Sequence, residues 1–214
     1  MAAHVDPASL DRAWLLRALL VLQAPRAVFS ALRDDSEEAA HARQEPILAL
    51  VWLAGIAGVL ITSVARTLLD DPTRDGIVVA VWAFLGGGFY GALAFWLGGA
   101  LLHSASRALG GQGTYRRARH VVAFACAPVA LSLLVVWPIG LTAFGGDLFR
   151  SGGSDAATGG SVLFWSAVGF GLWALALLAI GVRAVHGWTW ARTLATLALA
   201  AVPIGLVAFA NEFA

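Results

Sequence analysis

The stretch IVVAVWAFLGGGFYGALAFWLGGALL, residues 77–102, carries no charged side chain, and at about 1.5 Å per residue it is long enough to cross a hydrocarbon core about 30 Å thick. Uncharged runs at 47–65, 121–145, 161–182 and 193–210 share its character. The chain therefore reads as an all-α, polytopic integral membrane protein with five transmembrane helices. Composition agrees: 59% of the 214 residues are hydrophobic and 13% charged, whereas a soluble domain carries about a quarter charged residues.

The arginines give this array a direction. Arg12, Arg17, Arg26, Arg33 and Arg43 precede the first run, Arg107, Arg116, Arg117 and Arg119 follow the second, and Arg183 and Arg192 follow the fourth. The remaining gaps hold only Arg66, Arg74 and Arg150. Eleven against three places the N-terminus in the cytoplasm and, after an odd number of crossings, the C-terminus outside. All 14 basic residues are arginine, which points to codon bias in a GC-rich, bacterial genome and so to the plasma membrane. No cleavable signal peptide is expected, because Asp6, Asp11, Arg12 and Arg17 interrupt the place of its apolar core.

Residues 1–45 read as a cytoplasmic amphipathic segment and 46–211 as the five-helix transmembrane domain. Within the first, Leu10, Trp14, Leu15, Ala18, Val21 and Leu22 share a helical stripe, expected to lie on the inner leaflet as an interfacial helix or to pack on a partner or on the bundle. Pro25 opens a second short helix over 25–33, with Val28, Phe29 and Leu32 on its apolar side. The acidic patch Asp34, Asp35, Glu37 and Glu38 reads as a solvated linker.

Thr114 is the expected N-cap of the third span, Gly187 the C-cap of the fourth and Thr189 the N-cap of the fifth. Trp188 and Trp190 suit the headgroup level. In the second span, Gly87 and Gly91, followed by Gly98, make a slim helix suited to close packing. Pro128, Pro138 and Pro203 should bend their helices. Residues 146–160 have the composition of a flexible linker.

Chemistry is sparse. The spans hold no carboxylate and no arginine, which weighs against ion-coupled transport, and Ser63, Tyr90, Ser132, Thr142 and Ser166 are expected to bond nearby backbone. Cys126 stands alone and excludes an intrachain disulfide. The glycine spacing at 86–91 matches a dinucleotide fingerprint only in form, because it falls inside an apolar span. His103, His120 and His186 read as interfacial residues rather than metal ligands, and Asp70, Asp71 and Asp75 as an ion-pair loop with Arg66 and Arg74. No catalytic residue, cofactor, metal or nucleic-acid partner is expected.

Taken together, Pro25, Val28 and Phe29, then Gly113, Thr114, Tyr115, Arg116 and Arg119, then Pro128, then Gly181, Arg183, His186, Gly187 and Arg192 resemble the Yip domain family, across roughly residues 20–210. The family is named in eukaryotes for interaction with Ypt/Rab GTPases. The resemblance implies a non-enzymatic membrane interaction protein. GTPase binding is not carried over, because the N-terminal region here is short and shows no counterpart of the eukaryotic cytosolic motifs.

The functional expectation is a membrane scaffold or adaptor that organises partner membrane proteins or itself through the glycine-rich second helix. Its residues toward anionic inner-leaflet lipid or a partner are Arg107, Arg116, Arg117, Arg119, Arg183, His186 and Arg192. The first three arginines of the third helix are expected to snorkel to lipid phosphate. The alternatives are a small transporter or channel with an uncharged pathway, lined by Tyr90, Ser132 or Thr142, and an accessory subunit of a larger membrane complex.

Overall fold

A charged residue ends an apolar run without ending a helix, and the helices of this chain overrun the segments that specify them. The computed structural model describes residues 16, 19–62, 67, 68, 70, 76–153 and 157–211. In chain order these form α1 (Pro25–Ala31), α2 (Glu37–His41), α3 (Gln44–Leu60), α4 (Gly76–Ala108), α5 (Tyr115–Ala125), α6 (Ala127–Phe144), a 3-10 turn at Gly145–Phe149, α7 (Thr158–His186) and α8 (Trp190–Asn211). No strand occurs among the described residues. The helical stretches Glu37–Leu60, Gly76–Ala108, Tyr115–Phe149 and Thr158–His186 are long and apolar enough to cross a membrane. The 22-residue α8 is a shorter, fifth candidate.

The third span is built in two pieces. Pro128 lacks a backbone donor and sits in the first turn of α6, so the helix breaks at Cys126 and restarts, with Ala130 N donating to Cys126 O at 3.0 Å. Pro138 and Pro203 lie inside α6 and α8, which continue through them.

The chain forms two compact units. The first contains Met1–Ile47, Phe95–Ala125 and Ala176–Ala214; the second contains Leu48–Ala94 and Cys126–Leu175.

In the second unit, α3 lies directly on α4. A Cβ on Gly87 would stand 2.6 Å from Ile56 Cα, one on Gly91 would overlap Val51 O, and one on Gly55 would overlap Gly87 O. Trp52 covers Gly88 in the same way, 2.6 Å from where its Cβ would be. Only hydrogen at these positions lets the two backbones meet, which is how helices gain packing energy in a solvent as apolar as their side chains. Gly140 of α6 faces Leu148 and Leu163 at 3.0–3.2 Å, and Trp137 stacks on Phe149 with centroids 5.7 Å apart.

The loop after α6 departs from the flexible linker expected. Gly145, at φ +55°, turns the chain into the 3-10 segment, Leu148 is buried, and Ser151 donates through N (2.9 Å) and Oγ (2.5 Å) to the Asp70 carboxylate. Asp70 is thereby tied to Ser151. Its expected ion-pair neighbours Arg66, Asp71, Arg74 and Asp75 lie outside the described residues, as does Ser63.

In the first unit, Phe29 and Leu32 are fully buried and Val28 nearly so. Gly181 of α7 makes room for them: a Cβ there would stand 2.9 Å from the Phe29 ring and 2.8 Å from Val121 of α5. The apolar side of α1 thus packs on the helices of the chain itself. Most of the stripe expected at 8–22 lies outside the described residues; of its members Val21 is buried and Leu22 half-buried, while Leu16, Leu19 and Leu20, which lie off the stripe, are exposed. On α8 the buried polar residues are Thr193 and Thr196, whose hydroxyls donate back to Thr189 O and Arg192 O.

Candidate functional site

The polar residues of the first unit converge on the start of α5. Thr114 caps that helix, accepting from Arg117 N at 3.1 Å, and its hydroxyl donates to the Asp35 carboxylate. Arg116 reaches the same carboxylate through Nε at 3.0 Å, pairs with Glu37 through Nη1 at 2.7 Å, and donates through Nη2 to Asp35 O at 2.5 Å. Arg117 Nη2 donates to Arg33 O at 2.7 Å. Two consecutive arginines therefore clasp the strip of chain between α1 and α2.

This corrects the solvated-linker reading at Asp35, whereas Asp34, Glu37 and Glu38 are exposed as expected. The Asp35 side chain is only 9% exposed. Partial burial pushes its carboxyl up, but hydrogen bonds from Thr114 and Arg116 and the charges of Arg116 and Arg117 prevail, and it titrates below the ordinary 3.8. Ser36 caps α2 by accepting from Ala39 N, and the fully buried Arg43 donates to Ala39 O and Asp34 O, each at 2.5 Å.

The snorkelling expected of the α5 arginines is likewise corrected. Arg116 is paired within the protein, and Arg119 is held among aromatic rings, its guanidinium carbon 3.9 Å from the Trp96 ring centroid, 4.7 Å from Tyr115 and 5.3 Å from Phe95. Tyr115 fixes this cage by donating to Trp96 O at 2.8 Å. It is Gly99 that lets Arg119 cross α4, since a Cβ there would overlap its side chain; Gly98 has only ordinary contact, with Val122 at 3.7 Å. Contacts of this kind outweigh the few tenths of a kcal/mol that a cation costs at a helix N-terminus.

A second set of arginines closes helix C-termini, where outward carbonyls and the helix dipole favour cations. Arg33 donates to Ala184 O near the end of α7 through Nε (2.9 Å) and Nη2 (2.5 Å). Arg192 donates to Leu109 O just past α4. Gly187, at φ +68°, ends α7 with its N donating to Arg183 O at 2.8 Å, and Thr189 starts α8 by accepting from Arg192 N. Arg183 donates to Trp188 O at 3.2 Å and lies 4.6 Å from the Trp190 ring; Arg192 lies 4.3 Å from Trp188.

The histidines have separate settings. His186 stacks on Trp188 at 4.3 Å, His103 stands edge-on to Tyr115 at 6.0 Å, and His120 is buried in α5. Of the other residues singled out by sequence, Arg107 is exposed at the end of α4, and Gly87 and Gly91 belong to the second unit, against α3. Asp35, Glu37, Arg33, Phe95 and Trp96 were absent from the sequence-derived site. Their partners are distant in the chain, so no local spacing announces them.

Ser132, Thr142 and Ser166 donate to Val129 O, Ile139 O and Val162 O, each within its own helix. These polar groups thus cap helices, join segments or return to their own backbone. Together with helices long and apolar enough to cross a membrane, this arrangement defines a multi-pass membrane protein. The chain belongs to the Yip1 domain family, whose model matches residues 19–211. Members of that family are non-enzymatic, membrane-associated and interact with other proteins. Neither the curated proteins nor the solved structures contain a match.

Proposed function

We propose that this protein is a plasma-membrane adaptor with five spans, its N-terminus cytoplasmic and its C-terminus outside, which holds partner membrane proteins against a preformed polar platform. The platform consists of residues 19–45 and the loop from Arg107 to Arg119, and the apolar helices within residues 46–211 anchor it. The observation that carries this reading is the clasp of Arg116 on Asp35 and Glu37. It fastens the N-terminal segment to the third span, as a docking surface requires and a loose tail does not. Arg107, exposed beside it, remains available to a partner.

Self-association through Gly87 and Gly91 has no support, because α3 already occupies that face of α4. A transport pathway is not favoured either. The larger cavities of the second unit are lined mainly by apolar side chains such as Ile56, Val79, Phe84 and Leu141, and the Ser132 and Thr142 hydroxyls are bonded within their helix.

The test is cross-linking of the full chain in native membranes. Arg116→Asp should reduce the yield of cross-linked membrane proteins, and the paired exchange Asp35→Arg with Arg116→Asp should restore it. An unchanged partner set in the single variant, or solute flux through purified protein in vesicles, would contradict the adaptor reading.

A further inference from the structure

Where α1 meets the turn between α7 and α8, the first unit has an open groove of about 540 Å³. Arg26, Arg33 and Arg183 line it together with Trp188, Trp190 and Ile180, and no carboxylate is among its lining residues. The contrast with the clasp is chemical: Arg116 is neutralised by Asp35 and Glu37, whereas these three cations have no acidic partner among the described residues.

Two of the three are held in place by backbone. Arg33 commits Nε and Nη2 to Ala184 O and Arg183 commits Nε to Trp188 O, so Arg33 Nη1 and both terminal nitrogens of Arg183 have no partner among the described residues. Arg183 also rests 4.6 Å from the Trp190 ring. Guanidinium groups fixed in this way lose little freedom when they bind, and their remaining donors suit the oxygens of a phosphate. Arg26 is exposed on α1 and adds a third charge.

We propose that this groove binds the phosphate headgroup of an anionic glycerophospholipid, independently of the adaptor reading. The location selects a lipid over a soluble anion. The groove lies at the C-terminus of α7 and the N-terminus of α8, beside two tryptophans of the kind that settle at headgroup level, and the exposed Leu194 of α8 offers an apolar surface for an acyl chain. Lipid phosphate is always present at that depth.

Native mass spectrometry of the full chain in mixed micelles tests it, with dioctanoyl phosphatidylglycerol, dioctanoyl phosphatidylcholine and inorganic phosphate as probes. The anionic lipid should be retained in preference to the zwitterionic one, and millimolar phosphate should not displace it. Arg26→Gln, which breaks no hydrogen bond or ion pair among the described residues, should weaken retention about fivefold, as expected for one arginine near an anionic headgroup. Adding Arg183→Gln should weaken it further, while Arg150→Gln, in the second unit and outside the groove, should leave it unchanged. Equal retention of the two lipids, an unaltered Arg26→Gln variant, or displacement by phosphate alone would overturn the proposal.

Discussion

At the scale of single residues, an arginine here is defined by what it touches rather than by its charge. Arg119 owes its place to three aromatic rings, so Arg119→Lys keeps the cation and loses the planar stacking over Trp96. It should destabilise the protein by about 1 kcal/mol in detergent unfolding, and equal stability would show that the cage contributes nothing. Asp35 supplies a pH dependence. Its carboxyl titrates below the ordinary value, so the stabilisation is complete above about pH 4 and disappears as pH falls through the depressed folded value. The protection of residues 34–41 against hydrogen exchange, taken relative to the intrinsic rate at each pH, should therefore be flat from neutral pH to about 5 and fall in stronger acid. Asp35→Asn should already be fast at neutral pH; a variant as protected as the native chain would contradict the clasp.

At the scale of elements, the crossing of α3 and α4 depends on the absence of side chains at Gly55, Gly87 and Gly91. Gly87→Val or Gly91→Val should separate the helices and cost about 3 kcal/mol, within the range for overpacked sites. Gly169→Ala and Gly171→Ala, where an added Cβ meets nothing within 4 Å, should shift stability by less than about 0.5 kcal/mol. Thermal unfolding of the four variants checks both halves, and similar losses at all four would refute the close approach. Local signals were readable in the sequence here. Thr114, Gly187 and Thr189 end or begin helices as their chemistry dictates, and Pro128 marks the break at Cys126. Two things were not readable. The glycine spacing does not say which helix fills it, and the pairing of Asp35 with Arg116 joins positions 81 residues apart, beyond the reach of any period. The turn at Gly145–Phe149 looked like a linker because its glycines dominate the composition, while the burial of Leu148 and the hold of Asp70 on Ser151 are tertiary.

At the scale of the whole molecule, uncharged runs and arginine spacing specify a multi-pass architecture, because a solvent without hydrogen-bonding partners accepts closed helices and rejects most else. The structure adds that Arg116, Arg119 and Arg192 are integrated into the protein through carboxylates, aromatic rings and a helix-end carbonyl, while the groove at Arg26, Arg33 and Arg183 gathers three cations that have no acidic partner among the described residues. The account rests on the arginine-rich loop after α4 and the loop after α6 lying on opposite sides of a bilayer. Single cysteines placed at Arg107 and Arg150 in a Cys126→Ala background, probed in intact cells with a membrane-impermeant maleimide, test this most directly. The account predicts labelling at 150 and, until the membrane is opened, none at 107. Labelling of both positions from outside would contradict it.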